Sequence, residues 1–545
     1  MYFRLTGLCL LATLSVSAQR TILHCGTLID AVSKVPRKNM SVIVTGNTIT
    51  AVQSGYTAAQ PGDKVINLQQ QTVTPGWMDM HVHLESETNK QAYAEKFTLN
   101  PADYAFQGAV FAERTLMAGF TTVRDLGGSG VNISLRNAIN KGMMKGPRVF
   151  TAGKAIATTG GHADPTNGYR RDLMGDPGPE AGVANGPDEC RKAVRQAYKN
   201  GSDLIKITAT GGVLSVAKDG SSPQFTDEEL EAIISTAKDY NMRVAAHAHG
   251  AEGIKRAIKA GVNSIEHGSY MDDEGIALAK KRGTWYVPTL TAGRSVADSA
   301  KIPSYYPEIV RPKAEAIGPK IQGTFAKAYK AGVKIAFGTD AGVYMHGRNW
   351  LEFTYMVEGG MPAMEAIRAA TIYAADLLGM KDKLGSIEPG KLADIVAVEG
   401  NPLDNIQNMG KVSFVMKDGV VYKGAGAGEP GPSQSKGFAP TDKKFVHVVN
   451  FYLKPGLSAA DIKKFEDGVT SLSKIPEIAI FNLGKPASTN RPVIDRSYSY
   501  CELTVFNNKA DHDIYQEHPI HKQFIKECQH LWEKVVIFDS ETINY

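Results

Sequence analysis

Hydrophobic positions along this chain follow two periods, and the change from one to the other marks its architecture. Between residues 73 and 384, short apolar runs such as 204–208, 244–247, 265–268 and 337–342 each meet a glycine within a few residues. Runs of that length bounded by glycine read as buried strands rather than helices. Amphipathic stretches separate them. Residues 227–240 follow Thr226 and open on a Glu-rich turn, which is a helix-start signal, and residues 251–259 keep the same helical spacing. Strand alternating with helix predicts a parallel (β/α) architecture. Eight strands can be placed, ending near His83, Asp125, Gly153, Thr210, His247, His267, Leu290 and Asp340, so residues 73–384 are expected to form a TIM-like (β/α)8 barrel.

The flanks lack helical spacing. Residues 22–26 and 41–47 read as strands joined by turns, and a matching set returns at 393–398 and 412–419. Segments 20–72 and 385–423 are therefore expected to build one composite β-sandwich from both ends of the barrel. Glycine and proline crowd residues 424–432, which predicts a flexible linker over 424–442. A separate α+β domain is expected over 443–545, with an alternating strand at 445–454, a helix at 458–474 and a closing strand at 535–539. At the other end, Arg4 precedes an apolar stretch over residues 5–16, and Val16, Ser17 and Ala18 supply small residues for cleavage. Residues 1–18 thus read as a secretory signal peptide, too short to span a bilayer comfortably, which predicts export to a periplasm or the medium. Leu8 before Cys9 excludes a lipoprotein signal, and no later segment is apolar enough for the mature chain to enter a membrane.

Composition narrows the class. A chain of 545 residues has room for a barrel and a further module. Its net charge is only +5 with no long basic run, so nucleic acid is not an expected partner. The mature chain keeps Cys25, Cys190, Cys501 and Cys528 without a Cys-x-x-Cys pair, which argues against cysteine-bound zinc. Cys501 with Cys528 is the one disulfide worth considering, and separately packed thiols are the expected state.

The candidate chemistry sits at the strand ends. His81 and His83 are spaced i, i+2 on a strand, so both imidazoles can reach one metal ion. Lys206, His247, His267 and Asp340 close later strands, on the face where barrel enzymes place their catalytic groups. A single histidine in an apolar strand is more often a hydrogen-bonded core residue than a ligand. Lys206 is harder to place that way, because an inward lysine on a barrel strand is costly to desolvate. Carbon dioxide captured as a carbamate would turn it into an anionic bridging ligand. Six such residues in order make a metal site.

These motifs carry a resemblance. Residues 74–83 (TPGWMDMHVH), 120–125 (FTTVRD), 205–207 (IKI), 246–250 (AHAHG), 265–268 (IEHG), 338–342 (GTDAG) and 385–394 (GSIEPGKLAD) resemble the metal-dependent amidohydrolase superfamily, in its imidazolonepropionase-like and Xaa-Pro dipeptidase-like branch. The resemblance implies two divalent ions, with zinc the best match and manganese or cobalt able to replace it. His81, His83 and Asp340 would hold the more buried ion, His247 and His267 the more exposed one, and carboxylated Lys206 would bridge them. A hydroxide shared by ions about 3.5–4 Å apart would attack the amide, and Asp340 would shuttle its proton to the departing amine. His162, on a Gly-rich loop, and His249, where many relatives carry tyrosine, are candidate substrate contacts. Arg124 is a candidate partner for a substrate carboxylate or for a barrel acid, and His346 a candidate pocket residue.

Residues 443–545 resemble the stress-responsive α/β-barrel dimerisation domain, with Tyr515, His518, Pro519 and His521 carrying the signature. That resemblance implies a homo-oligomer. His447, His512, His518, His521 and His530 read as structural, since no acid or cysteine beside them completes a ligand pattern. The expected activity is hydrolysis of a C–N amide bond in a small dipeptide or N-acyl amino acid. A cyclic amide or lactone as substrate, or a non-catalytic binding barrel, are the alternatives. The complete ligand set speaks against the last.

Overall fold

The computed structural model describes residues 20–425, 444–486 and 495–541. Residues 1–18 and most of the expected linker lie outside them. The chain forms two compact units, divided between residues 425 and 444 of the described chain.

In the first unit, parallel strands Trp77–Val82, Phe120–Asp125 and Arg148–Thr151 form one arc, and Ile205–Thr208, Val244–Ala248, Ser264–His267 and Trp285–Val287 form another. Parallel bridges between Ile156 and Ile207, Tyr286 and Ile335, and Val82 and Ala341 join the arcs and the expected eighth segment into a closed ring. That eighth segment is anchored to the first strand, with Met80 N donating to Phe337 O and Asp340 N to His81 O. The close approach depends on Gly338, where an added Cβ would lie 2.3 Å from Val287 Cγ1 and 3.1 Å from His81 N. Between the barrel strands and the helix Leu351–Glu358, Trp77, Phe120, Phe337 and Phe353 are fully buried, with the Phe337 and Phe353 rings 4.4 Å apart.

The flanking segments hydrogen-bond into one sheet of seven strands. Its hinge is the long strand Lys64–Pro75, which pairs parallel with Arg20–Leu28 and antiparallel with Ile395–Glu399. Leu23, Val42, Ile66, Ile395 and Phe414 from across the sheet pack into one cluster, so it folds over its own core as the expected sandwich does. Lys64–Pro75 then runs directly into the first barrel strand. The helices follow their signals. Asp227–Asp239 starts at Thr226, whose side chain accepts from Glu229 N while Glu229 bonds back to Thr226 N.

The second unit is an antiparallel sheet ordered Ile478–Gly484, Tyr500–Phe506, Phe445–Leu453, Trp532–Glu541. Helices Ala459–Ser471, Lys509–Glu517 and Pro519–Cys528 accompany it, around Phe451, Phe465, Phe506, Tyr515 and Phe524. The four cysteines named above are unpaired. No described helix is long and apolar enough to cross a membrane.

Candidate active site

The C-terminal strand ends converge as their order suggested. His81 Nε2 and His83 Nε2 lie 3.4 and 3.2 Å from Asp340 Oδ1, and Lys206 Nζ lies 3.3 Å from His81 Nε2. The His267 ring stands 4.9 Å from that of His81 and 4.6 Å from that of His247. All six residues line one cavity of about 460 Å³. His162 and His249 line it too, with the His162 ring stacked 4.2 Å from His247 and the His249 ring 5.0 Å from His267.

Each imidazole has one nitrogen committed away from the centre. His81 Nδ1 donates to Glu266 Oε2 at 3.0 Å and His83 Nδ1 to Gly127 O at 2.6 Å, while His267 Nδ1 meets the Thr289 hydroxyl at 2.8 Å. His247 is turned the other way, with Nε2 on Gly211 O at 3.2 Å. Such partners fix the tautomer and leave a lone pair on the opposite nitrogen. Burial, reinforced by neighbouring cations, pushes His81, His247 and His267 well below the usual imidazole range, so they stay neutral and able to ligate. Burial also pulls Lys206 down to about 8, which favours the free amine that carbamate formation requires. Four imidazoles, one carboxylate and a desolvated lysine make a donor set that fits divalent ions. His267 and Asp340 hold φ of +68° and +58°, a conformation costing about 1–3 kcal/mol each in a non-glycine residue. Both side chains line the cavity at the point where their strands end.

Of the remaining candidates, Arg124 takes the second of its two readings and His346 leaves the cavity. Arg124 does not face the cavity: it is buried, and its guanidinium donates to Met80 O, to Ser264 Oγ and to Glu266 Oε1 at 2.8 Å. Its role is to hold the acid that orients His81, not to meet a substrate carboxylate. His346 is likewise buried outside the lining, with Nε2 on the carbonyls of His83 and Ser86 and its ring stacked on Phe111. It supports the loop that follows His83.

Glu266 and Asp79 are the functional residues the sequence reading missed. Asp79 accepts from His81 N, Thr339 N, Thr339 Oγ1 and Asn349 Nδ2, tying the first ligand strand to the segment that carries Asp340. A signal existed: Asp79, His81 and His83 share one strand face.

Comparison with known proteins agrees with this geometry. Residues 72–422 match the model of the amidohydrolase family, and residues 445–542 match that of the stress responsive A/B barrel domain. The chain belongs to the amidohydrolase family. As an amidohydrolase it is a hydrolase of carbon–nitrogen amide bonds, fused to a stress responsive A/B barrel domain. It is 34% identical to the ochratoxinase of Aspergillus niger over 436 residues, 75% of this chain and 88% of the relative. A solved Xaa-Pro dipeptidase with methionine bound in its active site is 56% identical, covers 74% of this chain and 100% of its own, and superposes with a TM-score of 0.73. A prolidase complexed with N-methylphosphonate-L-proline is 31% identical with the same coverage and a TM-score of 0.69.

Proposed function

We propose that this amidohydrolase cleaves the amide bond of a dipeptide or N-acyl amino acid bearing a free carboxylate and an apolar side chain. The observation that carries the reading is the cavity itself. Six candidate ligands line it together with the apolar side chains of Leu126, Val213, Leu214, Val296, Ile317 and Ile321. With Arg124 committed to Glu266, Lys154 is the lysine of the lining left to meet a carboxylate. The likeness to a dipeptidase holding methionine and to a prolidase supports the same substrate class.

His81, His83, Asp340, His247, His267 and a carboxylated Lys206 would hold two divalent ions, zinc by the character of the donors. Bound ions would supply an activated water and polarise the scissile carbonyl. The chain's own residues do the rest. Asp340 takes the proton of the attacking water at its carboxylate and passes it to the departing amine nitrogen. Burial pushes His162 and His249 down to about 3, so both stay neutral. Their Nδ1 atoms are taken by the hydroxyls of Ser215 and Ser269, which leaves Nε2–H for a substrate oxygen. Removal of residues 1–18 on export would set the enzyme to work outside the cytoplasm.

The test is a matched pair of substrates, one with a free C-terminus and one amidated, assayed on wild type and Lys154→Ala. The reading expects the free acid to be preferred, with the preference reduced in the variant through KM. Equal rates on both substrates would argue against carboxylate recognition and favour a cyclic amide.

A further inference from the structure

The C-terminal unit gathers a second set of ligating side chains that the hydrolase does not use. The antiparallel register of Phe445–Leu453 against Trp532–Glu541 sets His447 opposite Asp539, and His447 Nδ1 donates to Asp539 Oδ1 at 2.6 Å. His512, on the helix Lys509–Glu517, brings its ring to 4.9 Å from that of His447. One ligand atom from each of the three lies within 4.8 Å of the others. Sequence reading found no acid for these histidines because Asp539 is 92 positions from His447 and only the strand register joins them.

An independent feature points to a ligand. His512 is only 9% exposed, and its Nδ1 is buried without a hydrogen-bond partner. The carboxylate of Asp513 is 3.6 Å away, beyond hydrogen-bond reach. A buried polar nitrogen left unpaired costs free energy, and a metal ion would satisfy it. On the far edge of the ring the Gln516 amide nitrogen lies 3.1 Å from His512 Nε2. An ion on Nδ1 would place the ring proton on Nε2, and the Gln516 amide would then turn its oxygen to accept it. Asp539 is 43% exposed at its side chain, which leaves the site open to water and to an arriving ion. His521 stands nearby, its Nδ1 on Gln516 O and its ring 4.6 Å from that of Tyr515.

We propose that His447, His512 and Asp539 form a binding site for a divalent transition-metal ion, zinc first, in the C-terminal unit. Two imidazoles and one carboxylate suit zinc, nickel or cobalt, and water would complete the coordination. An ion seated there takes the place of the hydrogen bond between His447 and Asp539.

Full-length protein tests this directly. Wild type, Asp539→Asn and His512→Gln are brought to equilibrium with the same free zinc, and bound zinc per chain is counted. Each variant is expected to hold one zinc fewer while amide-hydrolysis turnover stays at the wild-type level. Asp539 is half exposed and asparagine is nearly isosteric, so that variant keeps its fold, which far-UV circular dichroism checks. Cobalt(II) supplies a second readout: the wild-type minus Asp539→Asn difference spectrum is expected to contain ligand-field bands. Equal zinc in all three proteins, or a featureless cobalt difference spectrum, overturns the proposal.

Discussion

Glu266 sits between Arg124 and His81, wholly buried, with one carboxylate oxygen on each. Removing the guanidinium leaves that charge unpaired in the core, which costs about 3–5 kcal/mol. Arg124→Ala is therefore expected to lower stability by that order in chemical denaturation, and to weaken the His81 ligand. A substrate-binding arginine would instead raise KM with little loss of stability. Asp340→Asn keeps the size of the side chain but removes the base, and turnover is expected to fall about 10²–10⁴-fold at unchanged fold. On its proposed role as a carboxylated bridge, Lys206→Ala is expected to show a similarly large fall and fewer divalent ions per chain. The strand-end residues that meet at the cavity were legible as a set because each ends a short apolar run, with glycine close to His247, His267 and Asp340. His346 was misplaced, and the two readings of Arg124 stayed open, because a side chain's direction beyond its strand end depends on partners distant in sequence. Arg124 reaches Glu266 across 142 positions, and His346 reaches the carbonyl of His83 across 263.

At the scale of elements, period and punctuation carried most of the reading. The helix Asp227–Asp239 begins where Thr226 and Glu229 placed it, and Thr226→Ala is expected to cost about 1 kcal/mol in thermal or urea unfolding. The eighth barrel segment was harder to define, since its pairing is reduced to a few backbone bonds around Gly338. In the C-terminal sheet, Glu502 is buried beside Thr504 and Tyr515, and burial raises its carboxyl to about 7. The sign follows from linkage. Above the ordinary glutamate value of about 4.3 the unfolded chain ionises while the folded one keeps its proton, so stability falls as pH rises toward about 7. Thermal unfolding of the C-terminal unit is expected to weaken over that window in wild type and to be flatter in Glu502→Gln. A wild-type profile that strengthens with pH would contradict the assignment.

On the scale of the whole molecule, the C-terminal unit carries a partly exposed apolar sheet face. The sheet of the C-terminal unit turns His447 and Val449 toward its core, while Val446, Val448, Leu503 and Phe538 share the opposite face, with Phe538 60% exposed. Covering that face with a second copy across a two-fold axis would pair two hydrolase barrels through one hub. Deleting residues 443–545 is expected to lower the mass seen by light scattering while the barrel retains its divalent ions and much of its activity. A full-length monomer would contradict this.

The central claim is that the strand-end residues act together as a divalent-metal amide hydrolase. Its most direct test is hydrolysis of a free-acid dipeptide by one preparation, first stripped with a chelator and then supplied with zinc in the presence of carbon dioxide. The account predicts that turnover disappears on stripping and returns with the ion. Full activity in the stripped protein would contradict it.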